Sequence, residues 1–306
     1  MSQNINIISQ RFDSKSLFKY YSKDNLQYSG NELSHYTTIN GLKGIIESNG
    51  FWLSDHRFLN DEEEFNNGRI LAIGIIEKLI NKIKYKKFID VLNKVLEDLK
   101  NHDEVPNYLC SFSTKRDSLD LWKWYSINDI GISIIFENLN TQHFKMPPIF
   151  FTSKVFYDDN IKSKIILNII RSFYKAFLKD NEDEVFDALT LSNLCCKELT
   201  NIIISKLIQF KNKEFESESE LRMIISDDIR KENKFNLEYR VTNKIIPYFN
   251  NSKIYEECKI GKLPIKEIII SPSNKQEIIK RSIEVYLKNH DYENVVVSFS
   301  KIPFRG

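Results

Sequence analysis

The signatures of several enzyme classes are missing from this chain. None of its 306 residues form a Gly-x-Gly-x-x-Gly turn, a Walker phosphate loop or a Gly-x-Ser-x-Gly elbow. A nucleotide would therefore need a scheme other than a glycine-rich phosphate cradle, and Ser111 and Ser113 lack a hydrolase nucleophile's local setting. The four cysteines (Cys110, Cys195, Cys196, Cys258) show neither CxxC spacing nor a secreted disulfide framework. That pattern argues for a reducing compartment and a cytoplasmic protein. An excess of one charge is lacking too: 44 basic against 42 acidic residues leave a net charge of +2. No whole-chain field then directs it to nucleic acid or membrane. No apolar run approaches the roughly 18 residues of a membrane span, and the polar start Met1 to Gln10 predicts no signal peptide. There is no internal repeat and no low-complexity linker.

What is present is enough to fill a core, with 42% hydrophobic and 12% aromatic residues. Leu42, Ile45 and Ile46 repeat at helical spacing until Asn49-Gly50 stops the run, and Phe51 to Ser54 reads as a short strand. Residues 67–100 carry Ile70, Ile73, Ile76 and Ile80, then Phe88, Val91, Leu92 and Val95, the periodicity of two amphipathic helices. A second helical block is predicted over 160–212, with a turn in the acidic run 181–184. Strands are predicted at 108–113, 130–136, 154–157, 217–226, 266–271 and 295–300. Strands around two helical blocks make the class α+β. The expected organisation is an arm at 1–30, then one domain over 31–306 into which the helical blocks are inserted.

Three motifs recur in order along this framework. His35-Tyr36-Thr37 follows a Gly-Asn turn where a binding loop is expected, and Ser111-Phe112-Ser113 puts two hydroxyls on one strand face. Glu218-Ser219-Glu220-Leu221-Arg222, read as part of a strand, lines up Glu218, Glu220 and Arg222 on one face by alternation. Like-charged carboxylates two residues apart repel, and a shielded site can raise one carboxyl's pKa, which suits proton or hydroxyl handling. A solvated face with an ion pair is the plainer expectation. Asp55 to Glu64 could supply a metal site from Asp55, Asp61 and Glu64, but consecutive acids suit a helix N-terminus better than a calcium loop. Trp122, Trp124 and Tyr125 could form a stacking platform or core. Cys110 with His35 or His56 would make a thiol and base pair, without a local signature to support it.

As an ordered set these residues resemble a bacterial family of unknown function, domain of unknown function 2971. The shared features are His35-Tyr36-Thr37, Trp52-Leu53-Ser54, Arg57-Phe58-Leu59-Asn60-Asp61, Ser111 to Ser113, Trp122, Tyr125, Gly131, Glu220 to Arg222, and Ile265 to Ile270. The resemblance runs from about Leu33 to Ile270 and is weakest in the helical blocks. That family is in turn remotely similar to ADP-ribosyltransferases, which implies a split, mixed or antiparallel β-sheet core holding NAD as substrate, without a metal. Carried over by motif, Glu220 would engage the nicotinamide ribose as the catalytic carboxylate, with Glu218 as the extra acid of arginine-modifying members. His35 would contact the adenosine-side ribose, and Ser111 or Ser113 would brace the site. Tyr36, Thr37, Ser54, Arg57, Asn60, Trp122, Tyr125 and Arg222 complete the expected cofactor-binding set, with the nicotinamide-stacking tyrosine left open. The implied activity is transfer of ADP-ribose to a protein or nucleic acid, as toxins or antiphage effectors do. A nucleotide- or nucleic-acid-sensing module and a metal-dependent nucleic-acid-processing enzyme are the alternatives. The 160–212 helices could serve a homo-oligomer or a partner protein.

Overall fold

The computed structural model describes residues 32–59, 64–101, 106–125, 130–137, 151–182, 188–232, 235–241, 243–273 and 276–303. The arm expected at 1–30 lies outside them. The described residues divide into two compact units, one within 60–105 and 155–215, the other within 32–59, 106–154 and 216–303.

The first unit is helical in its described residues. Helices α2 (Glu64–Ile80), α3 (Lys86–Asn101), α5 (Asp159–Glu182) and α6 (Ala188–Leu207) form it, so both predicted helical blocks are helices. In α3, Phe88, Val91, Leu92, Val95 and Leu99 recur at three- and four-residue spacing, which puts them on one stripe, and all are fully buried. Phe88 packs its ring 4.9 Å from Tyr174 and 5.5 Å from Phe177 of α5.

The second unit is built on one mixed sheet. Its strands are β1 (Glu32–Thr38), β2 (Trp52–Asp55), β3 (Asn107–Ser113), β4 (Gly131–Glu137), β5 (Phe151–Lys154), β6 (Glu220–Ser226), β7 (Glu238–Val241), β8 (Ile245–Asn250), β9 (Ile265–Ile270) and β10 (Val296–Phe299). The order is β10-β9-β4-β1-β3-β2-β8-β7, with β6 also on β3 and β5 on β6. All pairings are antiparallel except β9 with β10. Helices α1 (Ile39–Ser48), α4 (Leu119–Tyr125), α7 (Asp227–Glu232), α8 (Ser252–Glu257) and α9 (Gln276–Lys288) accompany the sheet. The fold is thus α+β with a mixed, open sheet, as the pattern of elements predicts. No helix among the described residues is long and apolar enough to cross a membrane.

Alternation divides the sheet's side chains between two environments. Leu33, Leu53, Tyr108, Cys110, Phe112, Ile132, Ile134, Leu221, Met223, Ile225, Phe249, Ile268 and Ile270 fall on one face. There they form the main core with Leu42, Ile45 and Ile46 of α1, Ile254 and Tyr255 of α8, and Ile283 and Leu287 of α9. The residues between them, including Ser34, Ser111, Ser113, Glu220 and Arg222, face the other way. A smaller apolar cluster covers part of that second face: Tyr36, Ile135 and Ile269 under Leu121 and Trp122 of α4.

Local chemistry explains the corners. The Thr38 hydroxyl accepts from the Gly41 N–H at the start of α1, 3.3 Å away. Asn49 ends α1 in the left-handed region at φ 48°, where the sequence predicts the stop. A side chain at Gly50 would strike Asn251 and the backbone of Ser252. That close approach lets the fully buried Asn251 accept from the Phe51 N–H at 2.7 Å, joining the end of β8 to the start of β2. Asn251→Ala leaves that buried N–H without its acceptor. We expect a loss of about 1–3 kcal/mol, read as a lower denaturant midpoint at unchanged slope.

Candidate functional site

Strand β1 pairs with β4 at all seven positions but with β3 only at Ser34 and Ser113. Farther along, β3 pairs instead with β2, at Leu109 with Ser54 and Tyr108 with Asp55. Where the β1 ladder stops, a side chain takes over. His35 Nδ1 lies 2.8 Å from the Ser111 carbonyl oxygen, which can only accept, so the proton resides on Nδ1 and Nε2 becomes the acceptor nitrogen. The ring also sits 5.5 Å from Phe112 and 6.5 Å from Phe51, on the main-core side of the sheet. Burial lowers the pKa of His35 to about 4, with the field of Arg240 adding to the effect. The imidazole is neutral at physiological pH.

The hydroxyl of the same Ser111 donates to Glu220 Oε1 at 2.5 Å. Arg222, two residues on and therefore on the same face, donates to that carboxylate from Nε at 2.8 Å and from Nη2 at 3.1 Å. Both side chains are almost wholly buried, at 5% and 4% exposure for Glu220 and Arg222. Register builds the rest of the surface. Ser34, Ser113 and Glu220 fall in one row across β1, β3 and β6; Ser111, Arg222 and Ser153 fall in the next across β3, β6 and β5. Ser34, Ser113 and Ser153 are buried. Ser111 therefore links His35, through its carbonyl, to Glu220, through its hydroxyl, although the two approach it from opposite faces of the sheet.

Glu218 does not join this row, contrary to the alternation argument. It ends a 3-10 stretch, Lys213–Glu218, and Ser219 is in the left-handed region at φ 48°, so strand alternation starts only at Glu220. Its backbone carbonyl accepts from the Ser113 hydroxyl at 2.6 Å. His35-Tyr36-Thr37 is a strand and not a loop. Tyr36 is 4% exposed, edge-on to Trp122 at 4.8 Å, and its hydroxyl donates to the Lys115 carbonyl. Trp122 is likewise buried and donates from Nε1 to Asp117 at 2.6 Å. Both serve packing. Trp124, which is exposed, and Tyr125, half-buried and 6.0 Å from Tyr36, are the rings of the aromatic set that reach toward solvent. Thr37 lies so close to Gly41 that a side chain there would meet its hydroxyl.

Arg57 is committed to Asp55, with Nε at 3.0 Å and Nη2 at 2.6 Å. Asp55 is fully buried and also accepts the Arg57 backbone N–H. Asn60 and Asp61 lie outside the described residues, as does the side chain of Glu64. Among the described residues no group of three or more His, Cys, Asp or Glu side chains could hold a metal. Cys110 does approach His35, 3.7 Å from Sγ to Nδ1. Burial holds its thiol well above the ordinary range, so it stays protonated at neutral pH and is a poor nucleophile.

Ser54 leads to a residue outside the expected set. Its buried hydroxyl receives Arg240 Nη2 at 2.9 Å. Arg240 comes from the β7–β8 hairpin and is paired with Ile246. Its charge reaches His35 and Cys110, and Cys110 also feels Glu220, so these groups share one region. The signal for the hairpin was the short alternation Tyr239-Arg240-Val241 followed by Ile245-Ile246.

A family model described as "Protein of unknown function (DUF2971)" matches residues 121–223. That is about a third of the chain, narrower than the span from Leu33 to Ile270 over which the motifs resemble that family. The matched stretch includes Trp122, Tyr125, Glu220 and Arg222; His35, Ser54, Ser111 and Ser113 precede it. No curated protein and no solved structure matches the chain.

Two outcomes check the site. Removing one member of a buried ion pair costs about 3–5 kcal/mol because its partner is left as an uncompensated charge. Arg222→Met should therefore destabilise strongly, and Glu220→Gln/Arg222→Met should recover most of the loss in a double-mutant cycle. The second concerns pH. Burial also lowers the pKa of His56 to about 4. Between that value and the ordinary 6.5 the unfolded chain binds more protons than the folded one. Stability should accordingly hold above about pH 6.5 and fall toward pH 4, with a shallower fall in His35→Gln, measured as urea midpoints at pH 7 and pH 5.

Proposed function

We propose that the chain is an ADP-ribosyltransferase-like enzyme that cleaves the nicotinamide–ribose bond of NAD and transfers ADP-ribose to a macromolecular acceptor. The observation that carries this is Ser111, whose carbonyl holds neutral His35 and whose hydroxyl holds Glu220. A brace of that kind keeps both groups in fixed rotamers at the place where β1 parts from β3.

In the proposed reaction the bond between nicotinamide nitrogen and the ribose anomeric carbon breaks, and its electron pair leaves with nicotinamide. Positive charge develops on the ribose, and Glu220 accepts the ribose 2-hydroxyl proton in a hydrogen bond that strengthens as that charge grows. The acceptor's nucleophilic atom bonds the anomeric carbon and releases its proton to solvent. His35 Nε2, the acceptor nitrogen of the ring, suits a ribose hydroxyl donor. Tyr125 is the ring of the expected set whose exposure allows stacking, which orients the leaving group. The expected acceptor remains a protein or nucleic acid, without further identity.

A second reading, a nucleotide-binding module without turnover, is favoured by one observation. Both Glu220 oxygens accept from Arg222, an engagement typical of a structural ion pair. Nicotinamide release from labelled NAD separates the two. Turnover that falls about 100-fold or more in Glu220→Gln, with Ser111→Ala lowering it less and both variants retaining a cooperative melt, supports the enzyme. NAD binding by calorimetry with no release in the wild type supports the module, and neither binding nor release removes both.

A further inference from the structure

Among the described residues Arg240 is a cation without an anion. It is half-buried on β7, and its one hydrogen-bonded partner among the described residues is the Ser54 hydroxyl, 2.9 Å from Nη2. The Nε atom is buried with no partner at all. The carboxylate two residues before it on β7, Glu238, accepts instead from the Tyr248 hydroxyl at 2.7 Å. Burial makes the guanidinium's charge harder to keep, lowering its pKa. No described residue offsets that cost with an opposite charge, which is the usual requirement for burying an ion.

A second orphan donor lies on β2. Trp52 Nε1 is also buried without a partner, and the Trp52 ring stacks on Tyr248 with centroids 4.9 Å apart. By register Tyr248 pairs with Ser54 on one side and Glu238 on the other; Arg240 is level with Ile246 and Trp52 with Asn250, so the two lie on opposite diagonals of Tyr248 and only Arg240 reaches Ser54. Guanidinium and indole are donors only. The unmatched guanidinium N–H of Arg240, which carries charge, calls for a ligand atom set that accepts and is negative. A phosphate group has that chemistry, and the planar guanidinium fork binds it through two parallel N–H groups.

We propose that Arg240, with the Ser54 hydroxyl, forms a phosphate-binding subsite for a phosphorylated small molecule. As the seat of a dinucleotide's pyrophosphate it rests on the function proposed above; as an anion subsite it does not, because Glu220 need act on no bond.

Calorimetry on the full chain with inorganic pyrophosphate, ADP and adenosine tests it. Wild-type protein should bind pyrophosphate and ADP, with at least a tenfold loss in Arg240→Met and a smaller loss in Arg240→Lys and Ser54→Ala. ADP binding tighter than pyrophosphate assigns the subsite to a nucleotide, and equal affinities assign it to the anion alone. Ligand-free Arg240→Met should melt at or above the wild-type temperature, since it removes an unpaired buried charge. Wild-type protein that binds neither anion overturns the proposal. So does Arg240→Met that binds ADP as tightly as wild type, or Arg240→Met that melts lower while Arg240→Lys keeps full ADP affinity. Loss of ADP binding in Arg240→Met from a protein that releases no nicotinamide keeps the subsite and removes the catalytic reading. Nicotinamide release unaffected by Arg240→Met does the reverse.

Discussion

The ion pair between Glu220 and Arg222 on β6 is the constraint to which the second unit's polar face is fitted. Two charges at 5% and 4% exposure are costly to remove from water, and their mutual attraction offsets that cost only when the remaining polar atoms are also satisfied. Ser111 on β3 supplies one such bond at 2.5 Å, from the position directly opposite Arg222 in the register. A slip of β6 by one residue would carry both charges into the main core and turn Leu221, Met223 and Ile225 out of it, so register and ionic chemistry enforce each other.

The neighbouring constraint is the interruption between β1 and β3. A continuous ladder would have satisfied the Ser111 carbonyl with a backbone N–H; here His35 Nδ1 does so. That exchange fixes the tautomer, keeps the ring neutral, and ties a titratable side chain on the main-core side, through Ser111, to a buried carboxylate on the other face. On the same face, α4 closes the β1, β4 and β9 end with Tyr36 and Trp122, leaving Tyr125 at its margin. At the β2, β8 and β7 end, Trp52 stacks on Tyr248 and Arg240 reaches the Ser54 hydroxyl. Among the described residues, one face of one sheet therefore carries apolar packing, a closed ionic cluster and an unmatched cation in succession.

Much of the framework was legible in the chain. Helical periodicity identified α1, its stop at Asn49, and both helical blocks; apolar β-rich runs identified β2, β3, β4, β6 and β9 to within a few residues. The hairpin β7–β8 was missed because it lies at an edge, where β7 is mostly exposed and has no strong apolar alternation to mark it. β1 was read as a loop because His, Tyr and Thr in sequence carry no strand periodicity of their own. Its partner β4 imposes the extended form. Glu218 was misplaced for a different reason: alternation assumes unbroken extended backbone, and the left-handed Ser219 ends it.

By itself the sequence determined the α+β class, the amphipathic segments, and the short list of residues from which the polar face is drawn, because periodicity and side-chain chemistry are local properties. Only the tertiary structure decided which of them meet. Ser111 joins His35 to Glu220 across 76 and 109 positions of chain, Tyr36 and Trp122 turn inward to pack, and Arg240 arrives at Ser54 from 186 residues away. Strand pairing sets those encounters, and no spacing within a single segment encodes them.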